Sequence, residues 1–244
     1  MSVLSPRRAT PELSLIVPAY NEAILLDSTV RRLHAVVAGL KVTYEIIIVN
    51  DGSSDGTAAI ADRLAETLAS TRVHHQTNAG IGGAFRAGAG LAAGDYLMLW
   101  PADMIPIESD LTPYFTKFGQ ADAIVGCRSY RAGYNPLMRL NAWLYPKLVA
   151  SLFDLHLRDV NWIHAYRRDL FLRLDLTQSG IPMLAETLVC LRDAGATFVE
   201  VEVQMRPRTA GAPSAASLRV MIRTLQGLLA FWCTWRRKRP SPPP

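Results

Sequence analysis

Cysteine and histidine are scarce in this chain, and their spacing suits neither cross-links nor metal clusters. The 244 residues include three cysteines and five histidines, with no CxxC pair and no zinc-finger spacing. We therefore expect neither a disulfide framework nor a structural zinc site. No run of 18 or more apolar residues occurs, and residues 1–14 lack the apolar stretch of a signal peptide. The expectation is a cytoplasmic protein without an ordinary transmembrane helix.

Charge is sparse, and it is unevenly distributed. Charged residues make up 19% of the chain and hydrophobic residues 50%, which excludes a mainly disordered protein and allows the sizeable core of one large α/β domain. The net charge is +5, but the last acidic residue is Glu202 and the chain beyond it carries +8, which leaves −3 on residues 1–202. No recognised nucleic-acid motif accompanies the basic tail, so we expect no nucleic-acid partner.

Short apolar strands alternate with helical patterns along the first hundred residues. The hydrophobic pattern predicts strands at residues 13–17, 44–49, 73–76 and 95–100. It predicts helices at residues 25–40, 58–68 and 80–93. Later in the chain it predicts strands at 121–125 and 197–205, and helices at 137–154 and 217–235. The alternation indicates βαβ units and therefore an α/β fold with a mainly parallel sheet flanked by helices.

Polar clusters occur where three of the predicted strands end. Tyr20, Asn21 and Glu22 follow the first strand, Asp51 follows the second, and Asp103 follows the fourth. Ligands of open α/β sheets bind beyond the carboxyl ends of the strands. We therefore predict a ligand site at this edge.

Two of these carboxylates have alternative interpretations. Asp51 suits hydrogen bonds from a ring N–H or from ribose hydroxyls, or it belongs to an ordinary βα turn in which Ser54 or Asp55 caps the next helix. Asp103 suits a divalent cation held on a diphosphate, or it caps the element that follows.

Two further features suggest anion binding and proton transfer. Residues 80–83 (GIGG) begin a helix of small residues, where backbone N–H groups can meet an anion, although the Lys-Ser/Thr of a P-loop is absent. Glu186 lies on an otherwise apolar helix. Because a buried carboxylate is costly without partners, Glu186 either turns to solvent or serves at a site as a base.

Three stretches together resemble the family-2 inverting glycosyltransferases, which have the nucleotide-sugar-binding GT-A fold. VPAYNE at residues 17–22, EIIIVNDGSSDGT at 45–57 and the glycine-rich stretch at 78–95 match the motifs of that family in order. The chain looks most like the subgroup of dolichol-phosphate mannose synthase and other polyprenyl-phosphate sugar synthases. The resemblance implies a Rossmann-like fold and transfer of a hexose from a nucleoside diphosphate sugar (UDP- or GDP-linked) to an acceptor such as a polyprenyl phosphate.

The resemblance also implies roles for individual residues. Contacts to the nucleotide base and ribose are implied for Pro18, Tyr20, Glu22 and Asp51. The donor phosphates would be met by Gly83, Arg206 and Arg208. An acceptor phosphate would be gripped by Arg128 and Arg139, because a guanidinium fork matches phosphate oxygens. Asp103 would hold Mg²⁺ or Mn²⁺ on the diphosphate. A hydroxyl acceptor would need a catalytic base, for which the candidates are Asp103, Asp159 and Glu186.

The chain departs from the family pattern in three places. Pro101 stands where the metal-binding DxD motif has its first acid, the stretch 159–168 is one residue short and lacks a glycine, and Ala215 replaces a lysine. These departures motivate an alternative function, that of a catalytically impaired nucleotide-sugar-binding or scaffold relative of the same fold.

The predicted organisation has five segments. They are a flexible N-terminus (1–11), the GT-A domain (12–205), a mobile loop (206–216), a C-terminal amphipathic helix (217–239) and a disordered tail (240–244). The last helix is too apolar for a free surface helix. It either packs on the domain or lies at the inner face of a membrane, where its tryptophans and its RRKR cluster suit anionic lipid.

Overall fold

The computed structural model describes residues 11–131, 134, 136–205 and 218–238, which contain seven strands and eight helices. The strands are β1 (Leu13–Ala19), β2 (Tyr44–Asp51), β3 (Thr71–Gln76), β4 (Tyr96–Leu99), β5 (Ala123–Arg131), β6 (His164–Arg167) and β7 (Phe198–Met205). The helices are α1 (Leu26–Gly39), α2 (Thr57–Thr67), α3 (Gly80–Leu91), α4 (Glu108–Phe115), α5 (Pro136–Phe153), α6 (Arg168–Phe171), α7 (Pro182–Asp193) and α8 (Leu218–Lys238). The predicted loop at 206–216, the predicted tail at 240–244 and all but the last residue of the predicted N-terminal segment lie outside the described residues.

The strands form one mixed sheet in the order β3-β2-β1-β4-β6-β5-β7. β6 is antiparallel to both of its neighbours, and all other pairings are parallel. The predicted α/β class with a mainly parallel sheet is confirmed. The sequence pattern did not predict β6 or α4, because a four-residue strand is too short to show periodicity and α4 contains Pro113.

β1 is the central strand of the parallel half, and it continues through Pro18. The carbonyl oxygen of Ile16 accepts a hydrogen bond from Trp100 N at 2.8 Å, so Ile16 points its backbone groups toward β4. Alternate residues of a strand point the same way, so the nitrogen of Pro18 also faces β4. β4 ends at Leu99, opposite Ile16, and the missing N–H of Pro18 therefore costs no bond of the ladder.

Helices cover both faces of the sheet, each over its own apolar core. Buried residues of α1, α2 and α4 pack on one face, and those of α3, α5, α7 and α8 pack on the other. Side chains alternate between the two faces of β7: Val201 and Val203 are buried, whereas Glu200 and Glu202 pair with Arg158 on the outside.

The carboxyl-terminal half of α8 packs against the domain. Leu228 and Phe231 are buried, the Phe231 ring stacks on Phe153 at 5.0 Å, and Trp232 Nε1 donates to the carbonyl of Leu152 at 3.0 Å. Three other apolar residues of α8 remain exposed: Ile222, Leu225 and Leu229. No helix among the described residues combines the length and apolarity needed to span a bilayer.

Glycines in α3 allow this helix to lie close to the sheet. A Cβ atom at Gly88 would lie 2.5 Å from Cγ2 of Ile16 on β1 and 3.2 Å from Cγ2 of Val49 on β2. The close contact of α3 with β1 and β2 therefore depends on a residue without a side chain.

Two glycines of the same helix should respond in opposite ways to substitution. Gly88→Ala should lower the free energy of unfolding by about 1–3 kcal/mol, because its methyl group would collide with Ile16. Gly90→Ala should raise it by about 0.5–1 kcal/mol, because nothing lies within 4 Å of the position that its Cβ would take and alanine favours a helix. Urea unfolding of both variants measures these changes. Equal stability of the two variants would contradict the close contact.

Candidate active site

The loops that follow β1 and β2 are joined by hydrogen bonds between their backbones and short polar side chains. Asn21 N donates to Ser53 Oγ at 3.0 Å, and Ser54 N donates back to Asn21 Oδ1 at 2.9 Å. Glu22 N donates to Thr57 Oγ1 at 2.8 Å. The residues of the VPAYNE and NDGSSDGT stretches, about 30 positions apart in the chain, therefore form one connected surface at the carboxyl edge of the sheet.

Asp55 organises the start of α2. Its carboxylate accepts hydrogen bonds from the Thr57 and Ala23 backbone N–H groups at 3.0 and 3.3 Å, and from the Thr57 hydroxyl. The hydroxyl bond is the main cause that holds the pKa of Asp55 below its ordinary value. The N-cap of α2 is Gly56, without a side-chain cap bond, so the prediction that Ser54 or Asp55 caps this helix is wrong; Asp55 instead binds Thr57, the first residue of α2.

Asp51 is buried at the end of β2, with 3% of its surface exposed. Its Oδ1 accepts hydrogen bonds from Gln76 Nε2 at 2.7 Å and from Ala79 N at 2.8 Å. Gln76 lies directly opposite Asp51 in the β2–β3 register, and Ala79 immediately precedes α3. One carboxylate oxygen therefore orients the side chain and fixes the amino end of α3.

The residue before Asp51 is oriented in the same way from β3. Asn50 Nδ2 donates to His75 Nδ1 at 3.0 Å, the other ring nitrogen of His75 lies 2.9 Å from Asp62 Oδ1, and Asn50 Oδ1 accepts from Ser53 N at 3.3 Å. Neither His75 nor Gln76 was predicted from the sequence as a residue of the site. The signal that could have found them is the parallel register, which places the last residues of β3 beside Asn50 and Asp51.

Residues implied to contact the nucleotide occupy the rim of this edge. Pro18 and Glu22 are half-buried, and Tyr20 is 51% exposed. An exposed aromatic ring next to a buried carboxylate offers a stacking surface and a hydrogen-bond acceptor, the two features that a nucleobase needs.

The turn after β4 places Asp103. The buried indole of Trp100 donates from Nε1 to the Met104 carbonyl at 2.6 Å, and Met104 N donates to the Pro101 carbonyl at 3.2 Å. Asp103 lies inside this turn and is half-buried. The alternative that Asp103 caps the next helix is wrong, because α4 begins only at Glu108 and its start is closed by Asp110, which accepts from Ile107 N.

Asp103 is the side chain at this edge that suits a divalent cation. The described residues contain no group of three or more His, Cys, Asp or Glu side chains arranged as a metal cage. Mg²⁺ commonly binds through one or two carboxylates together with substrate phosphates and water. A single half-buried carboxylate therefore fits a cation that arrives on a diphosphate, and Pro101 adds no ligand to it.

The glycine-rich start of α3 is pressed against residues 178 and 179. Gly80 has a positive φ of 73°, and Gly82 N donates to the Ser179 carbonyl at 2.8 Å. The prediction that residues 80–83, including Gly83, present N–H groups to an anion needs this refinement: the Gly82 N–H is already bound to protein.

Glu186 is buried on α7, with 1% of its surface exposed. Its Oε1 accepts from Thr177 N at 2.9 Å and from Thr177 Oγ1 at 2.7 Å, and its Oε2 accepts from Gln178 N at 2.8 Å. The alternative in which Glu186 turns to solvent is therefore wrong. Both oxygens of the predicted base hold the loop before α7.

Arg128 and Asp159 form a buried ion pair at the end of β5. Arg128 Nε and Nη2 bind the two Asp159 oxygens at 2.7 and 2.8 Å, as a fork. Nη2 also donates to the Asn161 carbonyl at 3.0 Å and Nη1 to the Tyr134 hydroxyl at 2.7 Å. The guanidinium lies 4.7 Å from the centre of the Trp162 ring. The arginine predicted to grip an acceptor phosphate is thus paired with a carboxylate predicted as a base.

The pairing with Arg128 keeps Asp159 in its charged form. Burial raises the pKa of Asp159, but the hydrogen bonds and charge of Arg128 outweigh burial and hold that pKa below its ordinary value. Nearby, burial lowers the pKa of His164 to about 4, so that its ring is neutral at pH 7. A carboxylate with a lowered pKa and two occupied oxygens is a weak proton acceptor.

Arg139 lies on the first turn of α5 and is exposed. Its Nε donates to the Tyr134 carbonyl at 3.2 Å, so Tyr134 connects it to Arg128. The remaining predicted phosphate ligands, Arg206 and Arg208, lie outside the described residues.

Known proteins match this chain over a region that contains the same three motifs. The model of the family described as Glycosyl transferase family 2 matches residues 14–175. Undecaprenyl-phosphate mannosyltransferase of Micrococcus luteus is 32% identical over 173 residues, which cover 66% of this chain and 68% of that protein. Glycosyltransferase AglD of Haloferax volcanii is 31% identical over 208 residues, 81% of this chain. The chain spans only 33% to 51% of the length of AglD and two other curated relatives.

Solved structures share the fold. Glucosyl-3-phosphoglycerate synthase from Mycobacterium tuberculosis, crystallised with Mn²⁺, UDP and glucosyl-3-phosphoglycerate, superposes with a TM-score of 0.73. The match covers 96% of this chain and 82% of the synthase, at 18% identity. The expected GT-A-like architecture is confirmed.

Removing the charge of Asp159 should destabilise the fold, because Arg128 would then be a buried charge without its partner. Asp159→Asn should lower the free energy of unfolding at pH 7 by about 3–5 kcal/mol. The folded pKa of Asp159 lies below its unfolded value of about 3.9. Its contribution is therefore complete above that unfolded value and is lost as the pH falls through the folded pKa. The difference between wild type and variant should shrink only below about pH 4.

Urea unfolding at pH 7, 5, 4 and 3 measures this difference. Asp154→Asn is the matched control, because Asp154 is exposed and its pairing with exposed His156 should contribute less than about 1 kcal/mol. A loss for Asp159→Asn no larger than that of the control, or one that disappears by pH 5, would contradict a structural ion pair.

Proposed function

The chain belongs to glycosyl transferase family 2. From this premise we propose that it is a glycosyltransferase that transfers a hexose, with inversion, from a UDP- or GDP-sugar to a polyprenyl phosphate. The observation that carries the proposal is the meeting of Tyr20, Asp51 and Asp103 at one edge of the sheet. These residues offer a stacking ring, a buried acceptor and a half-buried carboxylate, each after the end of one of three neighbouring strands.

The donor would lie across the ends of β2, β1 and β4. Its base stacks on Tyr20 and donates an N–H to Asp51, while Pro18 and Glu22 line the rim. Its diphosphate lies near Asp103, which would hold Mg²⁺ or Mn²⁺, and near Gly83, Arg206 and Arg208. The bound cation would neutralise charge on the leaving diphosphate. The strand order supports this placement of the donor, because β1 lies between β2 and β4 in the sheet.

The buried carboxylates Asp159 and Glu186 are already bound to other groups of the protein, and this favours a phosphate acceptor over a hydroxyl acceptor. In an inverting transfer the acceptor oxygen attacks the anomeric carbon as the bond to the diphosphate breaks. A hydroxyl must lose a proton to a base, whereas a phosphate is already ionised. Asp159 is paired with Arg128, and Glu186 accepts three hydrogen bonds from the loop before α7. Positioning and charge neutralisation are then the main tasks of the protein.

An exposed apolar strip on α5 suits the isoprenoid part of such an acceptor. The strip consists of Leu137, Leu140, Trp143 and Leu144, which are 45% to 57% exposed. It begins one residue after the start of α5, and Arg139, a predicted ligand of the acceptor phosphate, lies between Leu137 and Leu140 in the sequence. The exposed apolar residues of α8 add apolar surface on the same side of the sheet. Side chains of this kind favour a lipid chain or a bilayer interface, which supports peripheral contact with a membrane.

A non-catalytic relative that binds nucleotide sugars remains the second candidate. Pro101 favours it, since the described site then has a single carboxylate for a cation. Asp103→Ala separates the two functions: a transferase loses turnover, whereas a scaffold has no turnover to lose.

Nucleotide binding should depend on Asp51. Asp51→Asn should weaken binding of UDP or GDP, whichever the wild type binds, by about tenfold to a hundredfold, because a charged hydrogen-bond acceptor is lost. Calorimetric titration with and without Mn²⁺ measures this. Asp95→Asn, an exposed residue just before β4 at the opposite edge, is the matched control. If the wild type neither binds nor hydrolyses any UDP- or GDP-sugar, the proposal fails.

Binding to a membrane, where a polyprenyl phosphate would be met, should depend on the apolar strip. The double variant Leu140→Ser, Trp143→Ser should lose more than about tenfold in binding to anionic vesicles, since each exposed side chain contributes on the order of 1.5–3 kcal/mol when buried. Donor hydrolysis by water should be unchanged. Leu172→Ser, 45% exposed after α6 at the opposite edge, should keep wild-type vesicle binding. Flotation of the double variant at the wild-type level would remove the membrane contact.

A further inference from the structure

The segment formed by residues 177–179 connects three helices of the candidate site. On one side it is bound by Glu186 of α7, which accepts hydrogen bonds from the N–H groups of Thr177 and Gln178 and from the Thr177 hydroxyl. A buried carboxylate is tolerated only when its oxygens are satisfied, and here each oxygen accepts a backbone N–H. Glu186 therefore fixes the backbone of the segment rather than a single side chain.

On its other side the segment binds the amino end of α3. The Gln178 carbonyl accepts from Arg86 Nη1 at 2.7 Å, and the Ser179 carbonyl accepts from Gly82 N at 2.8 Å. The fit is tight, since a Cβ at Gly82 would lie 2.6 Å from the Gln178 oxygen. α8 closes the same region, because a Cβ at its Gly227 would lie 2.9 Å from Gln178 Oε1.

The amino end of α3 is thus held between two buried carboxylates. Asp51 accepts the N–H of Ala79, immediately before the helix, and Glu186 acts on Gly82 and Arg86 through the 177–179 segment. We propose that Glu186 is a positioning residue that sets the amino end of α3 against the donor, and that it is not a catalytic base. The effect of Glu186 on donor binding rests on the proposed function. The hydrogen-bonded connection from Glu186 through residues 177–179 to α3 does not.

The pattern of donors explains why an amide cannot replace Glu186 at no cost. Each oxygen of Glu186 accepts a backbone N–H, one from Thr177 and one from Gln178. In Glu186→Gln the amide NH₂ would face one of these two N–H groups, so the 177–179 segment would have to move.

Kinetics distinguish a positioning residue from a base. For Glu186→Gln we expect the KM for the donor sugar to rise on the order of tenfold, with a smaller change in kcat and an unaltered pH profile. Gly82→Ala disturbs the same contact from the α3 side, so it should raise KM in the same way. Because the two changes break one connection, the double variant should be scarcely worse than either single variant. Glu66→Gln, exposed on α2, is the matched control. A loss of kcat at unchanged KM, with loss of the acidic limb of the pH profile, would overturn the proposal.

Amide hydrogen exchange tests the connection without any substrate. Glu186→Gln should speed exchange in residues 176–181 and at the amino end of α3, and leave residues 13–19 and 44–51 protected. If Glu186→Gln does not fold, Gly82→Ala and Thr177→Val should show the same localised loss of protection. Unchanged exchange in folded variants would overturn the proposal. If the wild-type chain binds no nucleotide sugar, the proposed function fails, and the exchange result still decides the role of Glu186.

Discussion

Parallel pairing of β1 with β2 on one side and β4 on the other places three strand ends at a single edge of the sheet. The polar residues that follow those strands then meet, although they are separated by up to about 80 positions in the chain. The short side chains of Asn21, Ser53 and Thr57 lock two of the loops together. β6 joins the sheet in the opposite direction and extends it toward β5, where Arg128 and Asp159 lie.

Much of this edge could be predicted from the sequence, because strand-end chemistry is local. VPAYNE, NDGSSDGT and the glycine-rich start of α3 each combine an apolar strand or helix with a turn. Contacts that depend on tertiary packing could not be predicted. Glu186 was recognised as unusual, but its partners belong to a loop without a distinctive pattern. Arg128 and Asp159 were assigned separate roles because nothing in the sequence shows that their 31-residue separation closes into an ion pair.

The buried carboxylates of this protein are mainly structural groups, and this affects the chemistry that the site can support. Asp51 and Glu186 accept backbone N–H groups from either side of the α3 amino end, and Asp159 neutralises Arg128. All three carboxylates are thus already bound to donors of the protein. A transfer that needs no proton acceptor, from a nucleoside diphosphate sugar to an acceptor that is already ionised, agrees with this arrangement. The apolar strip on α5 supplies a surface for the lipid part of such an acceptor.

The most direct test of the central claim is a crystal structure of the chain with Mn²⁺ and UDP or GDP. We expect a base that stacks on Tyr20 and donates to Asp51, with the diphosphate and its cation beside Asp103. A nucleotide bound elsewhere would disprove the proposed donor site. So would a nucleotide at this edge with neither Asp51 nor Asp103 in contact with it.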